Sequence, residues 1–238
     1  MNRKIVVLQL LDRALYKTVG SSIGQYLGDP VNVLAHFSEF ESNEVLIMDI
    51  SSSSIPDFEF LKLLGRHCSM PLSYVGKVKS LDDVARIITL GFERVLIGDA
   101  VFEDASLLEK SVSAFGCSTM GVIVNYEVRD GKRYLWRKGV ESTSDELTAE
   151  WLSGFAHASV GEILLYCISA DGKREGYDLG VLDLCPSLVN INLCGGCSSI
   201  SELERNLRNH PKISFSAGSS FSLLPNNSVF LKYSKDLK

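Results

Sequence analysis

Polar residues that could bind anions or move protons close each of eight short apolar runs in this chain. They are Asp12, Asp49, Gly76 with Lys77, Gly98 with Asp99, Asn125, Ser169 with Asp171, Gly195 with Gly196, and the serine-rich segment 216–220. Glycines between an apolar run and a helix start leave backbone N–H groups free for an anion, and the helix dipole adds to the attraction. A Gly-Gly pair also makes an ordinary tight turn, so the phosphate reading rests on finding two such loops in related places. Asp99 opposes it at the first loop unless Lys77 or Lys79 neutralises the carboxylate. Charged residues open four of the same runs: Lys4, Glu44, Arg94 and Glu162. Singly, each is a common solvated strand start. As a set, two bases and two acids could neutralise one another in a partly buried plug. The four histidines (His36, His67, His157, His210) fall on expected helices or their ends without ligand spacing to acids or thiols, so no metal or organic cofactor is expected. Cys194-Gly-Gly-Cys197 has redox spacing but lies in a phosphate-type loop without a thioredoxin-like setting, and the run Ser51 to Ser54 reads as a loop.

The elements that must carry these residues follow from the apolar runs at 5–10, 45–50, 72–75, 95–97, 121–124, 163–167, 188–193 and 213–215. Runs apolar on both faces suit parallel strands covered by helices. Helix starts are visible between them: Asp29-Pro30, Ser80 before Leu81-Asp82-Asp83, and Ser199 before Ile200-Ser201-Glu202. Strand alternating with helix eight times predicts an α/β fold, a (β/α)8 TIM barrel, with a doubly wound open sheet as the alternative. An internal repeat favours the barrel. Gly76 to Val84 is similar to Gly195 to Leu203, and Ser80 and Ser199 stand 119 residues apart, half of 238. Two half-barrel repeats and a single domain over 1–238 are therefore expected. Asp130-Gly131 between β-prone flanks predicts a hairpin over 127–137 after the fifth strand. With 24 basic against 29 acidic residues the net charge is −5, which offers no field for a nucleic acid. No apolar run approaches the roughly 20 residues that cross a bilayer, and the start lacks a signal peptide's pattern. A cytoplasmic protein without membrane partners, its six cysteines reduced, is expected.

Four segments carry a family resemblance: Lys17-Thr18, Tyr26 to Pro30, Asn43 to Ile50, and Asp171-Gly172-Lys173-Arg174-Glu175-Gly176-Tyr177-Asp178. With them the chain resembles the cyclase subunit of imidazole glycerol phosphate synthase along nearly its whole length. The resemblance implies a duplicated half-barrel that takes ammonia through its interior from a glutamine amidotransferase partner and joins it to a phosphoribulosyl substrate with a phosphate at each end. It makes Lys4, Glu44, Arg94 and Glu162 the gate to the ammonia passage, with Lys4 where arginine is usual, and Glu93 a docking position for the glutaminase. Lys17, Asp49, Asp171 and Gly172 are retained, as are Gly195 and Gly196, with Ser219 as hydroxyl partner of the second phosphate loop.

The mouth departs from that pattern. The family's two catalytic aspartates close the first and fifth strands, but the fifth closes here with Asn125, which cannot exchange a proton as a carboxylate does. For the first, Asp12 fits if the turn is shortened, while the ungapped alignment from Lys4 brings Leu10 there. Lys77 replaces a glycine of the first phosphate loop, and Gly98-Asp99 replaces the usual Asn and hydroxyl pair. Leu15-Tyr16-Lys17-Thr18 and the tail from Phe221 to Tyr233 are more similar to a branch of the family associated with surface polysaccharides. That branch works with a glutaminase and a sugar amidotransferase to make acetamidino groups. The expectation is thus an ammonia-dependent synthase- or lyase-type subunit acting toward a phosphorylated or nucleotide-linked sugar. Three alternatives stay open: a true cyclase of histidine biosynthesis, a non-catalytic ammonia conduit, and an unrelated phosphosugar isomerase.

Overall fold

Strands apolar on both faces need cover on both sides, and the chain supplies it by closing its sheet on itself. A computed structural model describes residues 2–37, 43–137 and 144–218. In chain order the strands are β1 (Lys4–Leu11), β2 (Ala14–Val19), β3 (Ser22–Gly28), β4 (Glu44–Asp49), β5 (Leu72–Val75), β6 (Arg94–Ile97), β7 (Met120–Arg129), β8 (Lys132–Leu135), β9 (Glu162–Cys167), β10 (Asn190–Cys194) and β11 (Ile213–Ala217). The helices are α1 (Pro30–Phe37), α2 (Phe58–His67), α3 (Leu81–Thr89), α4 (Ala100–Glu103), α5 (Ala105–Phe115), α6 (Ala149–His157) and α7 (Ile200–Asn209). Parallel pairing runs β1-β4-β5-β6-β7-β9-β10-β11 and returns to β1, where Lys4 lies opposite Phe215. That last pairing excludes the open sheet. The fold is a TIM barrel.

Alternation along each strand sorts the apolar side chains into two layers. Ile5, Val7, Leu46, Met48, Val75, Leu96, Ile123 and Leu164 fill the barrel interior, whereas Val6, Leu8, Val45, Ile47, Val95 and Ile163 face the helices. The repeat is visible in the caps. Ser80 Oγ accepts from Asp83 N at the start of α3, and Ser199 Oγ accepts from Glu202 N at the start of α7. The carboxylates reach back in the same way, Asp83 to Lys79 N at 3.0 Å and Glu202 to Ser198 N at 2.7 Å.

The expected hairpin forms between β7 and β8, with Asp130 and Gly131 both at positive φ. Three expectations change. The seventh barrel strand begins at Asn190, since Leu188 is 90% exposed. The connection from β9 to β10 holds 3₁₀ turns at Ile168–Ala170 and Leu179–Leu184 in place of an α-helix. Residues 14–28 form the antiparallel pair β2–β3 above β1, stitched to the β9 end by a hydrogen bond from Gly20 N to Asp171 O at 3.1 Å. Among the described residues no helix is long and apolar enough to cross a membrane.

Candidate functional site

At the N-terminal end of the barrel, strand alternation decides which charges meet. Glu44 and Glu162 are buried, 4% and 2% exposed, and they share Arg3, whose guanidinium pairs with both carboxylates. Arg94 Nη1 adds bonds of 2.9 and 3.1 Å to Glu44, and the Ser73 hydroxyl donates to the same carboxylate. Burial pushes the Arg3 guanidinium below its usual range, and Glu44 opposes that shift. Lys4 is a correction. Its neighbours Arg3 and Ile5 point inward, so its own side chain turns to the helix layer, where Nζ lies 3.9 Å from Glu204 on α7. The floor set is Arg3, Glu44, Arg94 and Glu162. Glu93 is exposed beside it at the same face.

At the opposite end two cavities adjoin. The larger, about 560 Å³, is lined by Asp49, Gly76, Lys77, Gly98, Asp99, Asn125 and Trp136 among others. The smaller, about 50 Å³, takes Lys17, Asp171, Gly172, Gly195 and Gly196 into its wall. Gln9, Thr18 and Tyr166 line both. Gln9 Nε2 donates to Thr18 Oγ1 at 2.6 Å and to Tyr166 Oη at 2.9 Å, while Thr18 N donates to Gln9 Oε1 at 3.0 Å. The Thr18 hydroxyl donates in turn to the buried Asp171 carboxylate. Burial, then the nearby Asp171 charge, raises the Tyr166 hydroxyl well above its ordinary pKa, so it stays protonated.

The two glycine loops have steric reasons. At Gly196, φ +90, a Cβ would lie 2.0 Å from Gly176 O, and at Gly76, φ +137, it would lie 2.7 Å from Asp49 O. Neither loop tolerates a side chain there. Asp49 accepts from Tyr74 Oη at 2.9 Å and Ser51 N at 3.0 Å, which fixes its carboxylate at the rim of the larger cavity. Cys194 and Cys197 are buried, and burial pushes the Cys194 thiol far above its ordinary pKa, which opposes thiolate redox chemistry. Among the described residues no cluster of three or more His, Cys, Asp or Glu could hold a metal. Ser219 lies outside the described residues, as does the tail 221–233.

The family model described as histidine biosynthesis protein matches residues 12–221. The chain belongs to that family. Its similarity extends to a Pseudomonas aeruginosa protein provisionally named imidazole glycerol phosphate synthase subunit hisF2, 32% identical over 209 residues, covering 84% of this chain and 82% of the relative. A Vibrio vulnificus protein provisionally named subunit hisF3 is 30% identical over 228 residues, covering 92% and 87%. A Lactococcus lactis protein named imidazole glycerol phosphate synthase subunit HisF is 31% identical over 190 residues, covering 74% and 71%.

For a member of the histidine biosynthesis protein family, the inward arginine resets the register of the first strand. Anchored on Arg3 instead of Lys4, the ungapped alignment brings Gln9, not Leu10, to the first catalytic place. Geometry agrees: Gln9 enters the mouth, whereas Leu10 packs in the layer under the helices. Asp12 is corrected as well. It sits with Arg13 at positive φ in the β1–β2 turn and lines a separate cavity beside Asp57 and Phe58. Asn125 does line the larger cavity, and its buried Oδ1 receives no hydrogen bond. Sequence reasoning missed Arg3, Gln9, Thr18 and Tyr166. A signal for the first two existed: an inward face must be polar at both ends of the barrel, and only the odd positions of 3–10 satisfy that, since Val6, Leu8 and Leu10 are all apolar.

Asp99 gives a pH test of the mouth. Desolvation by the cavity wall raises its carboxyl above the ordinary range, Arg137 opposing the shift and Glu103 adding to it. A raised folded-state pKa means that the native state holds a proton longer than the unfolded chain, so stability falls as pH rises through that interval. Asp99→Asn is expected to raise the melting temperature at pH 7 and to lose that advantage below about pH 4, where the unfolded carboxyl is also protonated. Thermal denaturation at the two pH values measures it; equal shifts at both would show that the gain is not electrostatic.

Proposed function

We propose that this chain is the ammonia-accepting barrel of a glutamine-dependent pair, diverged from imidazole formation toward amidination of a sugar in surface polysaccharide synthesis. The observation that carries the reading is the charged floor of Arg3, Glu44, Arg94 and Glu162 beneath an apolar interior. In this chain of pairs the Arg3–Glu44 link can part while Arg3 keeps Glu162 and Glu44 keeps Arg94, and the apolar bore above admits neutral ammonia while disfavouring ammonium. A glutaminase docks at the N-terminal face, where Glu93 is exposed. At the mouth, Lys17, Gly172, Gly195 and Gly196 hold an anionic group, and Asp171 and Asn125 contact the acceptor. A sugar amidotransferase that receives the activated nitrogen is the third partner.

Divergence is supported by the amides Gln9 and Asn125, because the imidazole-forming reaction needs proton transfer at those two places. The same amides favour a second reading, a conduit that hands ammonia on without chemistry of its own. Tagged barrel is expected to retain a glutaminase from its native host and to raise the glutaminase's turnover, with amide-¹⁵N of glutamine appearing in a sugar product. Asp171→Asn separates the readings: product lost with partner binding intact supports chemistry at this mouth, and unchanged product supports the conduit. Recovery of no glutaminase at low salt overturns both.

A further inference from the structure

The barrel duplicates its anion loops, yet the two copies are filled differently. In the loop after β5, Lys77 at φ +59 turns its ammonium onto the Ser51 carbonyl, and the carboxylates of Asp49, Asp99 and Glu103 line the same cavity. A phosphate entering there would meet three acids against two lysines, Lys79 and a Lys77 already engaged by a protein carbonyl. In the loop after β10 the balance is reversed. Lys17 lines the smaller cavity with Asp171; burial and the nearby Arg174 charge lower its pKa, and Asp171 opposes that shift. Two cations held close together, with the buried Arg174 Nε bonded to no acceptor, gain from an anion placed between them. Asp171, which accepts from the Thr18 hydroxyl, is among the described residues the one carboxylate lining this cavity, so two cations stand against one acid.

The hydrogen bond from Gln9 to Tyr166 joins β1 to β9 where the two cavities meet. Any ligand that enters both cavities passes this bond, so what disfavours a second phosphate is the set of acids in the larger cavity. The larger cavity suits an uncharged body instead: Trp136 offers an apolar ring face, and Asn125 Oδ1 lacks a donor that a sugar hydroxyl would supply.

We infer that the substrate of this mouth is a sugar with one terminal anionic group, seated by Lys17, Arg174 and the Gly195–Gly196 loop, its hydroxylated body against Trp136 and Asn125, and that a second phosphate at the far end of the sugar adds no affinity. The inference rests on the proposed function only in taking the mouth as the substrate site.

The test titrates ¹⁵N-labelled full-length chain with inorganic phosphate, fructose 6-phosphate and fructose 1,6-bisphosphate, without glutamine or a partner. Inorganic phosphate is expected to shift the amides of Gly172, Gly195 and Gly196 and to saturate at one per chain. The bisphosphate should bind no more tightly than the monophosphate, and Lys17→Ala should weaken both by about tenfold, as loss of a charge-assisted contact does. Shifts at Gly76 and Gly98, a second phosphate per chain, or a bisphosphate bound about tenfold more tightly than the monophosphate would overturn the inference. So would the absence of binding by all three probes. Because no step uses ammonia, a failure here leaves the glutaminase pairing standing, and a failure of that pairing leaves this result interpretable.

Discussion

Replacing Glu44 with alanine is expected to cost about 3 kcal/mol of folding stability, at the lower end for breaking a buried ion pair. Glu44 holds three partners at once: Arg3, Arg94 and the Ser73 hydroxyl. Its removal leaves two guanidiniums, with side chains only 19% and 22% exposed, facing the single acid Glu162. At this chain length the loss corresponds to a melting temperature lower by about 6–12 °C. Glu44→Gln should cost less, because the amide keeps the volume and can still accept from Ser73, but it leaves the same excess of positive charge. If the floor is the ammonia gate, both variants also change how much glutamine nitrogen reaches product for each glutamine hydrolysed. Denaturant melts and a paired glutaminase assay measure the two effects separately. A loss below about 1 kcal/mol would mean that the cluster is solvated and contributes as surface pairs do. Unchanged coupling together with the stability loss would leave the floor a structural plug.

Given the phosphoribulosyl substrate and ammonium salts, the wild-type chain is expected to form imidazole glycerol phosphate at no more than about 10⁻⁴ of the rate of a cyclase that bears carboxylates at the ends of its first and fifth strands. Each general acid or base contributes about 10²–10⁴-fold, and here both places hold amides. Gln9→Asp with Asn125→Asp restores the carboxylates, and detectable product from the double variant is the expected direction. The gain is limited by Tyr166 and Thr18, which are arranged around a glutamine; a shorter, charged side chain at position 9 forfeits the bond to Tyr166 and faces Asp171 across the Thr18 hydroxyl. Quantifying product after long incubation decides the matter. Wild-type turnover near that of a carboxylate-bearing cyclase would show that Asp171 or Asp49 supplies the proton transfer and would return this chain to histidine biosynthesis.

Most of the barrel was legible in the sequence because strand burial on both faces leaves a dense apolar signature. Each of the eight expected runs overlaps a barrel strand, and the capped starts at Asp29, Ser80 and Ser199 are where the chain makes them. The same density hides the register. In β1, residues 5 to 8 are all apolar, so alternation there does not say whether Arg3 or Lys4 points inward. One step of register flips every side chain to the other face, and so Lys4, Leu10 and Asp12 were placed on a face they do not occupy. The β2–β3 pair was missed for a different reason: β3 packs little, with Ile23 58% and Tyr26 56% exposed, and β2, although it buries Leu15 and Thr18, lacks the apolar run that marks the barrel strands.

Composition, periodicity and the 119-residue repeat by themselves determined the eight-stranded α/β class, the glycine loops in related positions, the hairpin after the fifth barrel strand and the ends of the barrel at which charge and polarity gather. Those features depend on local propensity and on the period of burial, which one sequence contains in full. Closure of the barrel, the membership of Arg3 in the floor, the bond that joins Gln9 to Tyr166, and the difference between an engaged Lys77 and the paired cations Lys17 and Arg174 were decided only in three dimensions. Each depends on which of two faces a side chain takes or on partners as much as 211 positions away, as Lys4 and Phe215 are, and residue types in order carry no record of that distance.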